Sequence, residues 1–219
     1  MNVLITGASG GIGAAAVKRF LSLGHTVYGI DLAPAAVTHP AYIHYMADIR
    51  DAAALPKIPD VHVIFNNAGA QNSGDDIGNN LTGAVNVTEK YIADNPALCS
   101  VLFNASASSI TGREFPLYAA AKAGLVGYMK NVAVRLAPLG VTCNAISPGG
   151  VLTPLNAPVT EDPDCWRRIM DVTPMKKWMT PDEVADWAVF LTLTNRSMSG
   201  QNLLIDNGET DLADIFVWK

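Results

Sequence analysis

Tyr118 and Lys122 are the residue pair in this sequence best suited to move a proton. They stand four positions apart, and on a helix this spacing places both side chains on one face. An isolated tyrosine has a pKa of about 10 and is a poor base at neutral pH. A neighbouring ammonium group is expected to stabilise the tyrosinate and lower that pKa. Such a phenol can protonate a carbonyl oxygen or take a proton from an alcohol, whereas an ordinary surface pair does neither.

A glycine-rich turn with the sequence Gly-Ala-Ser-Gly-Gly-Ile-Gly occupies residues 7–13, between a short apolar run and a helical pattern. Glycines permit a tight turn and let the backbone approach a ligand closely. The helix that follows presents free N–H groups and the positive end of its dipole to a pyrophosphate. The turn therefore predicts a dinucleotide site, the alternative being a strand–helix turn without a ligand.

Two aspartates end predicted strands beyond this turn. Asp31 follows the turn by about 20 residues, the position of an acid that accepts a hydrogen bond from a ribose hydroxyl. Its charge repels a 2′-phosphate, and no Arg or Lys lies in the turn or just after Asp31, so we expect NAD rather than NADP. A solvated carboxylate is the alternative. Asp48 is interpreted either as a partner of the adenine amino group or as the cap of a short helix near Asp51.

Short apolar runs alternate with helical patterns along the chain. This alternation predicts an α/β fold, a single Rossmann-type doubly wound parallel sheet of about seven strands with helices on both faces. We expect one domain over residues 1–219. Residues 150–180 are rich in loop signals and are interpreted as a flap over the site. Its Trp and Met side chains are expected mostly to pack on the protein, and its Arg side chains to lie in solvent. The predicted strands lie at 3–5, 26–30, 42–46, 61–65, 101–103, 141–146 and 203–205, and the helices at about 12–23, 81–92, 118–136 and 181–193.

Composition excludes several classes of protein. Of 219 residues, 49% are hydrophobic and 16% charged, and the net charge is −5, which excludes a disordered chain and argues against a nucleic-acid binder. The three cysteines and four histidines show no metal-ligand spacing, so we expect no metal and no disulfide framework. We find no secretory signal and no membrane-spanning run, and we expect a cytoplasmic protein without a membrane partner.

Four motifs together resemble those of the short-chain dehydrogenase/reductase family. They are Thr-Gly-Ala-Ser-Gly-Gly-Ile-Gly at 6–13, Asn-Asn-Ala-Gly at 66–69, Tyr-Ala-Ala-Ala-Lys at 118–122 and Asn-Ala-Ile-Ser-Pro-Gly at 144–149. Each is modest alone, but they occur in the family's order over nearly the whole chain. The resemblance implies NAD-dependent interconversion of a secondary alcohol and a ketone by hydride transfer. The alternatives are a non-catalytic dinucleotide-binding regulatory protein and an NAD-assisted epimerase or dehydratase of the same fold.

The resemblance also implies residue roles. Tyr118 is the acid/base. Lys122, together with the positive charge of an oxidised nicotinamide, lowers the pKa of Tyr118, and Lys122 also binds the nicotinamide ribose. Ser106 is the donor to the substrate oxygen, with Ser108 as the fallback. Asn80 holds a water of a proton relay, unless it is merely a helix cap. The implied cofactor-binding residues are Gly7, Ser9, Gly11, Ile12, Gly13, Asp31, Asp48, Ile49, Asn67, Ala68, Gly69, Tyr118, Lys122, Pro148, Gly149 and Val151.

Two departures from the family pattern stand out. The segment from Gly69 to Asn80 is shorter than usual, which predicts an open or differently covered site. Asn207 stands where relatives usually have glycine, and Asn tolerates the left-handed backbone such a position needs.

Small residues along 118–137, together with the family's helix interface, imply a homodimer or homotetramer. The apolar end at 214–219 is expected to dock on the body of the protein or on a neighbouring subunit.

Overall fold

The computed structural model describes residues 1–212, and the predicted end segment 214–219 lies outside them. Seven strands form one sheet in the order β3-β2-β1-β4-β5-β6-β7, and every neighbouring pair is parallel. The predicted doubly wound α/β fold is confirmed. The strands are β1 Asn2–Thr6, β2 Thr26–Asp31, β3 Tyr42–Met46, β4 Val61–Asn66, β5 Ser100–Asn104, β6 Thr142–Pro148 and β7 Asn202–Ile205.

Helices cover both faces of this sheet. Two of them are extended by π-helical turns, at Gly78–Thr82 before α2 and at Phe190–Thr194 after α7. The predicted helix at about 81–92 therefore starts earlier than its sequence pattern indicated. The α-helices are α1 Gly11–Ser22, α2 Gly83–Ile92, α3 Ser108–Thr111, α4 Pro116–Leu136, α5 Ala157–Thr160, α6 Pro163–Val172 and α7 Pro181–Val189, with 3-10 turns at Ala137–Leu139 and Pro154–Asn156.

The alternation of side chains along β1 divides the core into two layers. Leu4 belongs to the layer that contains Met129 of α4, whereas Val3 and Ile5 belong to the layer that contains Phe20 of α1. All five side chains are fully buried. Because both faces of a parallel sheet are covered, its central strands consist mainly of apolar residues, and this pattern made them recognisable in the sequence.

The strand order reverses between β2 and β4, which lie on opposite sides of β1. The loops after β1 and β4 leave the sheet in opposite directions at such a point, and the crevice between them receives ligands in open parallel sheets. The glycine turn and the Asn-Asn-Ala-Gly motif begin there, at Gly7 and Asn66. The fold thus brings the predicted motifs to the same edge of the sheet.

Local signals explain several element ends. The Thr180 side chain accepts a hydrogen bond from the Glu183 N–H, and the Glu183 carboxylate accepts one from the Thr180 N–H. This capping box starts α7 at Pro181, the predicted position. Asn207 has a φ of 56°, the left-handed backbone expected of it. The flap is more helical than its loop-rich sequence indicated, since α5 and α6 lie within it. Within residues 1–212, no helix combines the length and apolar content needed to cross a bilayer.

Candidate active site

A cleft of about 760 Å³ opens at the carboxyl ends of the central strands. Its walls come from the glycine turn, the ends of β2, β4, β5 and β6, the start of α4 and the flap. The four proposed catalytic residues line it, as do all but one of the proposed cofactor residues. Those lining residues are Gly7, Ser9, Gly11, Ile12, Asp31, Asp48, Ile49, Asn67, Ala68, Gly69, Asn80, Ser106, Tyr118, Lys122, Pro148, Gly149 and Val151.

The glycine turn is built for close approach of a ligand to its backbone. Gly7 and Gly11 have φ values of 65° and 46°, in the left-handed region that favours glycine. A Cβ atom at Gly7 would lie 2.8 Å from the Cα of Ala68, so a side chain has no room there. Gly10 caps α1 without a side-chain acceptor for the first N–H groups of the helix, and Gly11 and Ile12 line the cleft. These features fit a bound pyrophosphate.

Gly13 is the one proposed cofactor residue that does not line the cleft, and its contact with a cofactor stays a prediction. A Cβ atom there would collide with the Gly7 carbonyl oxygen and lie 2.7 Å from Asn67 Nδ2. Gly13 is needed because α1 packs directly against the turn that precedes it. Its role is to allow that packing, which shapes the turn.

Two backbone N–H groups hold the Asp31 carboxylate at the rim of the cleft. Its Oδ2 accepts from the Ser9 N–H and its Oδ1 from the Ala33 N–H, both over 2.9 Å. Two backbone donors fix the carboxylate next to the glycine turn. Among the described residues that line the cleft, the basic side chains are Arg113 and Lys122, which lie with the catalytic residues instead.

Asp48 forms an ion pair with Arg50, whose Nη2 lies 2.6 Å from Asp48 Oδ2. Hydrogen bonds from Arg50 hold the pKa of the Asp48 carboxyl below its usual range. The second Arg50 amino group, Nη1, lies 3.1 Å from Asp75. The interpretation of Asp48 as the cap of a short helix near Asp51 is wrong, because the chain forms a turn there instead of a helix. Contact with adenine stays a prediction for the Asp48 carboxylate, which lines the cleft.

Tyr118 and Lys122 share one face of α4, as their spacing predicted. Both are buried, with 8% and 3% of their surface exposed. Lys122 Nζ lies 5.7 Å from the centroid of the Tyr118 ring and donates a 2.7 Å hydrogen bond to the carbonyl of Asn104 at the end of β5. Burial lowers the pKa of Lys122 to about 8. The ammonium is therefore close to the phenol, but it is less firmly protonated than an exposed lysine.

The protein's own groups raise the pKa of the Tyr118 phenol, and the lowering expected from Lys122 together with an oxidised nicotinamide stays a prediction. Burial is the main cause, because the tyrosinate loses its hydration. Contacts with Ser106 and Gln71 act in the opposite direction, while the carboxylates of Glu114 and Asp76 raise the pKa further. The protein alone thus favours the protonated phenol.

The two candidate serines occupy different positions. Ser106 follows β5 and lies beside the Tyr118 phenol, while Ser108 begins α3 and donates to Glu114 Oε2 over 2.7 Å. The two hydroxyls are 3.2 Å apart. This placement favours Ser106 over Ser108 as the donor to a substrate oxygen.

Asn80 lies inside the π-helical turn before α2, so its interpretation as a helix cap is wrong. Its Nδ2 donates to the carbonyls of Ala70 and Asp76 over 2.7 and 2.9 Å. Its Oδ1 is buried and has no hydrogen-bond partner among the described residues. A methyl group added at Gly69 would collide with Asn80 Oδ1 and lie 3.3 Å from Lys122 Nζ, so both atoms face the same point. A relay water held between Asn80 Oδ1 and Lys122 Nζ stays a prediction.

The Asn-Asn-Ala-Gly motif ties β4 to β1 and β5. Thr6 Oγ1 accepts from the N–H groups of Asn67 and Ala68, each over 3.0 Å. Asn67 Nδ2 donates to the Thr6 carbonyl, and Asn67 Oδ1 accepts from Asn104 Nδ2, both over 3.0 Å. The motif therefore fixes the floor of the cleft between the glycine turn and the catalytic residues.

The sequence analysis missed several cleft residues. Gln71, Arg113 and Glu114 also line the cleft, and no motif or periodicity marks them. On the flap side, Trp178 Nε1 donates to Glu209 Oε1 over 2.8 Å, and Trp166 packs edge-on against Trp178 with ring centroids 5.2 Å apart.

Known proteins resemble this chain over almost its whole length. Residues 7–210 match the family described as enoyl-(acyl carrier protein) reductase. The uncharacterized oxidoreductase C922.06 of Schizosaccharomyces pombe is 32% identical over 234 residues, covering 94% of this chain and 89% of that protein. An oxidoreductase of the short-chain dehydrogenase/reductase family from Burkholderia thailandensis has 33% identity and a TM-score of 0.86, covering 95% of this chain and 92% of that one. A 3-ketoacyl-(acyl-carrier-protein) reductase from Brucella melitensis, complexed with NADH, has 29% identity and a TM-score of 0.82, covering 95% and 97%.

Proposed function

Since this chain belongs to the short-chain dehydrogenase/reductase family, we propose that it is an NAD-dependent oxidoreductase that interconverts a secondary alcohol and a ketone. That it is an oxidoreductase follows from the family and from its relatives. The finer proposal depends on one observation. Tyr118, Lys122 and Ser106 converge on the cleft whose other end is the glycine turn.

The proposed cofactor is NAD, held along the cleft from the glycine turn to α4. Gly11 and Ile12 would bind its pyrophosphate, Asp31 its adenosine ribose, and Lys122 its nicotinamide ribose. When bound, the nicotinamide ring donates or accepts the hydride. The NADH complex of the similar Brucella protein supports this choice. So does the carboxylate of Asp31, which disfavours a 2′-phosphate at the rim.

The proposed role of Tyr118 is proton transfer at the substrate oxygen. In ketone reduction the phenol donates its proton to the oxygen as the carbonyl carbon gains the hydride. In alcohol oxidation the tyrosinate takes the hydroxyl proton as the carbon loses the hydride. Ser106 positions the oxygen, and a donor there stabilises the negative charge that develops on it. Lys122 and a water on Asn80 carry the proton from Tyr118 to solvent in alcohol oxidation and from solvent to Tyr118 in ketone reduction.

We also propose that the protein forms a homodimer or homotetramer through α4 and its neighbour α2. Val134 and Leu117 on α4 are 75% and 59% exposed, which leaves apolar surface for a second copy to cover. Sedimentation at several concentrations measures the mass directly. A strictly monomeric species contradicts this part of the proposal.

The first test of the function combines cofactor binding with turnover. NADH fluorescence measures binding, and a panel of ketones and secondary alcohols measures activity. Tyr118→Phe is expected to retain NADH binding and to lower turnover by a factor of about 10² or more. The reason is that general acid–base catalysis usually contributes a factor on the order of 10²–10⁴. Tyr128→Phe is the matched control, because Tyr128 lies on the same helix but donates to Glu89 outside the cleft. Binding without turnover in the wild type would instead indicate a regulatory protein.

A further inference from the structure

Glu209 follows β7 and places its carboxylate in the wall of the cleft. Its Oε1 atom accepts a hydrogen bond from Trp178 Nε1 over 2.8 Å. The Thr173 hydroxyl lies 2.9 Å from the same oxygen and 2.8 Å from the Ile169 carbonyl oxygen, so it shares its one hydrogen between them. Trp178 and Thr173 are both buried, and these contacts fix the orientation of the carboxylate.

The second carboxylate oxygen, Glu209 Oε2, has no hydrogen-bond partner within residues 1–212, and Glu209 forms no ion pair in that range. Unlike the unpaired Oδ1 atom of Asn80, it is open to solvent. A Cβ atom at Gly149 would lie 2.8 Å from Oε2, and one at Gly150 would collide with the Trp178 indole. Two successive glycines after β6 thus make room for the linked glutamate and tryptophan.

The Glu209 carboxylate lies at the end of the cleft that holds the catalytic serine. The strands β5 and β6 are neighbours, and beyond them the Ala107 N–H donates to the Pro148 carbonyl over 2.8 Å. Ser106 and Gly149, one position before Ala107 and one after Pro148, therefore belong to adjoining segments. The proposed adenosine end of the cleft lies at β2, beyond β5, β4 and β1. Glu209 Oε2, which rests on Gly149, thus faces the part of the cleft proposed for the substrate.

This wall of the cleft is otherwise uncharged. Among the described residues that line the cleft after β6, Glu209 is the only one with a charged side chain. Ile169, Val172 and Trp178 supply apolar and aromatic surface to the same wall. A ligand that fills this part of the cleft displaces water from Oε2, and a carboxylate oxygen left without a donor weakens binding through its lost hydration. A well-bound ligand must therefore bring a hydrogen-bond donor of its own.

We propose that Glu209 is a specificity residue that selects ketones and alcohols carrying a second hydrogen-bond donor, a hydroxyl or an ammonium group, for its Oε2 atom. The inference rests on the proposed function, because the selected compounds are substrates of the proposed reaction. A hydrocarbon group at this point leaves the oxygen unpaired, and a carboxylate group is repelled by its charge. The hydrogen bond from Trp178 holds Glu209 in place for this role.

Glu209→Gln alters one atom of this wall. The indole N–H of Trp178 can only donate, so the amide oxygen of the glutamine takes the place of Oε1 and the amide nitrogen takes the place of Oε2. The variant thus keeps the link to Trp178 and replaces the acceptor in the cleft with a donor. Glu161→Gln is the matched control, because it makes the same change of charge on the exposed loop between α5 and α6, outside the cleft lining.

The kinetic test uses methyl ketones of equal chain length, unsubstituted or carrying a hydroxyl or an amino group at successive carbons, with NADH. The wild type and Glu161→Gln are expected to prefer the best hydroxyl or amino ketone over the unsubstituted one by about tenfold or more in kcat/KM, the effect of one hydrogen bond to a charged group. In Glu209→Gln this preference is expected to disappear, while the Kd for NADH stays the same. The hydroxyl and amino series show which donor is selected.

Three kinetic outcomes overturn the inference. The first is a wild type that prefers no donor at any position of the chain. The second is a Glu209→Gln variant that keeps the preference. The third is weaker NADH binding in Glu209→Gln alone, because it would place the cofactor and not the substrate at Oε2.

A binding measurement decides the inference without turnover. In Tyr118→Phe with NADH present and ¹⁵N-labelled tryptophan, the indole N–H resonance of Trp178 is assigned by its absence in Trp178→Phe. This N–H donates to the Glu209 carboxylate, so a donor bound at Oε2 is expected to weaken that bond and shift the resonance. Hydroxyl or amino ketones are expected to shift it and the unsubstituted ketone is not, and Glu209→Gln is expected to remove the difference. An equal response to all ketones overturns the inference, whereas selective binding to a wild type that turns over none of them would contradict the proposed function alone.

Discussion

The Lys122 ammonium lies 5.7 Å from the centre of the Tyr118 ring, yet the phenol pKa is raised and not lowered. Burial acts on both groups and disfavours the charged form of each. Proximity to a cation is therefore insufficient to make this tyrosine acidic. We infer that the positive charge of an oxidised nicotinamide is needed as well when Tyr118 acts as a base.

Stability is predicted to depend on the protonation of Lys122. Its pKa in the folded protein is about 8, below the ordinary 10.5, so the unfolded chain binds more protons between these values and stability rises with pH across that interval. Between pH 8 and 9.5 the contribution of this lysine is expected to grow by about 1.5 kcal/mol. Urea unfolding of wild type and Lys122→Met at both pH values measures it, because the variant lacks the group. Equal slopes with pH in the two proteins would contradict the prediction.

The choice of cofactor is predicted to depend on Asp31. Asp31→Asn keeps an oxygen for the Ser9 or Ala33 N–H but removes the charge that repels a 2′-phosphate. NADH binding is expected to weaken about tenfold, which corresponds to about 1.4 kcal/mol, and discrimination against NADPH is expected to relax. Asp60→Asn, a change away from the cleft, is the control. A wild type that already prefers NADPH would show that Asp31 is wrongly assigned.

Two glycines of the cofactor turn are predicted to respond differently to alanine. A Cβ atom at Gly13 collides with the Gly7 carbonyl, whereas one at Gly10 meets no atom within 4 Å. Gly13→Ala is expected to destabilise the protein by about 1–3 kcal/mol, the usual cost of overpacking. Gly10→Ala is expected to cost less than about 1 kcal/mol, because it changes only the helix cap. Thermal unfolding of the two variants compares them directly, and similar losses would exclude the packing role of Gly13.

The sequence was most informative where a local pattern decides the structure. Central strands such as β1 and β4 were predictable because buried parallel strands are mainly apolar, whereas β3 is only partly buried and has a weaker pattern. Glycine turns and the Tyr118–Lys122 spacing likewise have local signatures. Burial of the phenol is a property of the assembled cleft, so the rise that burial causes in the pKa of Tyr118 could not be inferred from the Tyr118–Lys122 spacing. Glu114 lies in a loop without periodicity, and only the fold brings it to Ser108.

The strain at Glu114 is predicted to be measurable as a difference between two variants. With φ at 73°, a residue with a Cβ atom is disfavoured there, while glycine is not. Both Glu114→Ala and Glu114→Gly remove the carboxylate and its bond to Ser108, so comparison of the two isolates the backbone. Glu114→Gly is expected to be the more stable by about 1 kcal/mol, because relief of left-handed strain exceeds the entropy that glycine adds to the unfolded chain. Denaturant unfolding measures the difference. If Glu114→Ala is the more stable, the left-handed conformation costs less than its geometry indicates, and strain cannot be part of how Glu114 is held against Ser108.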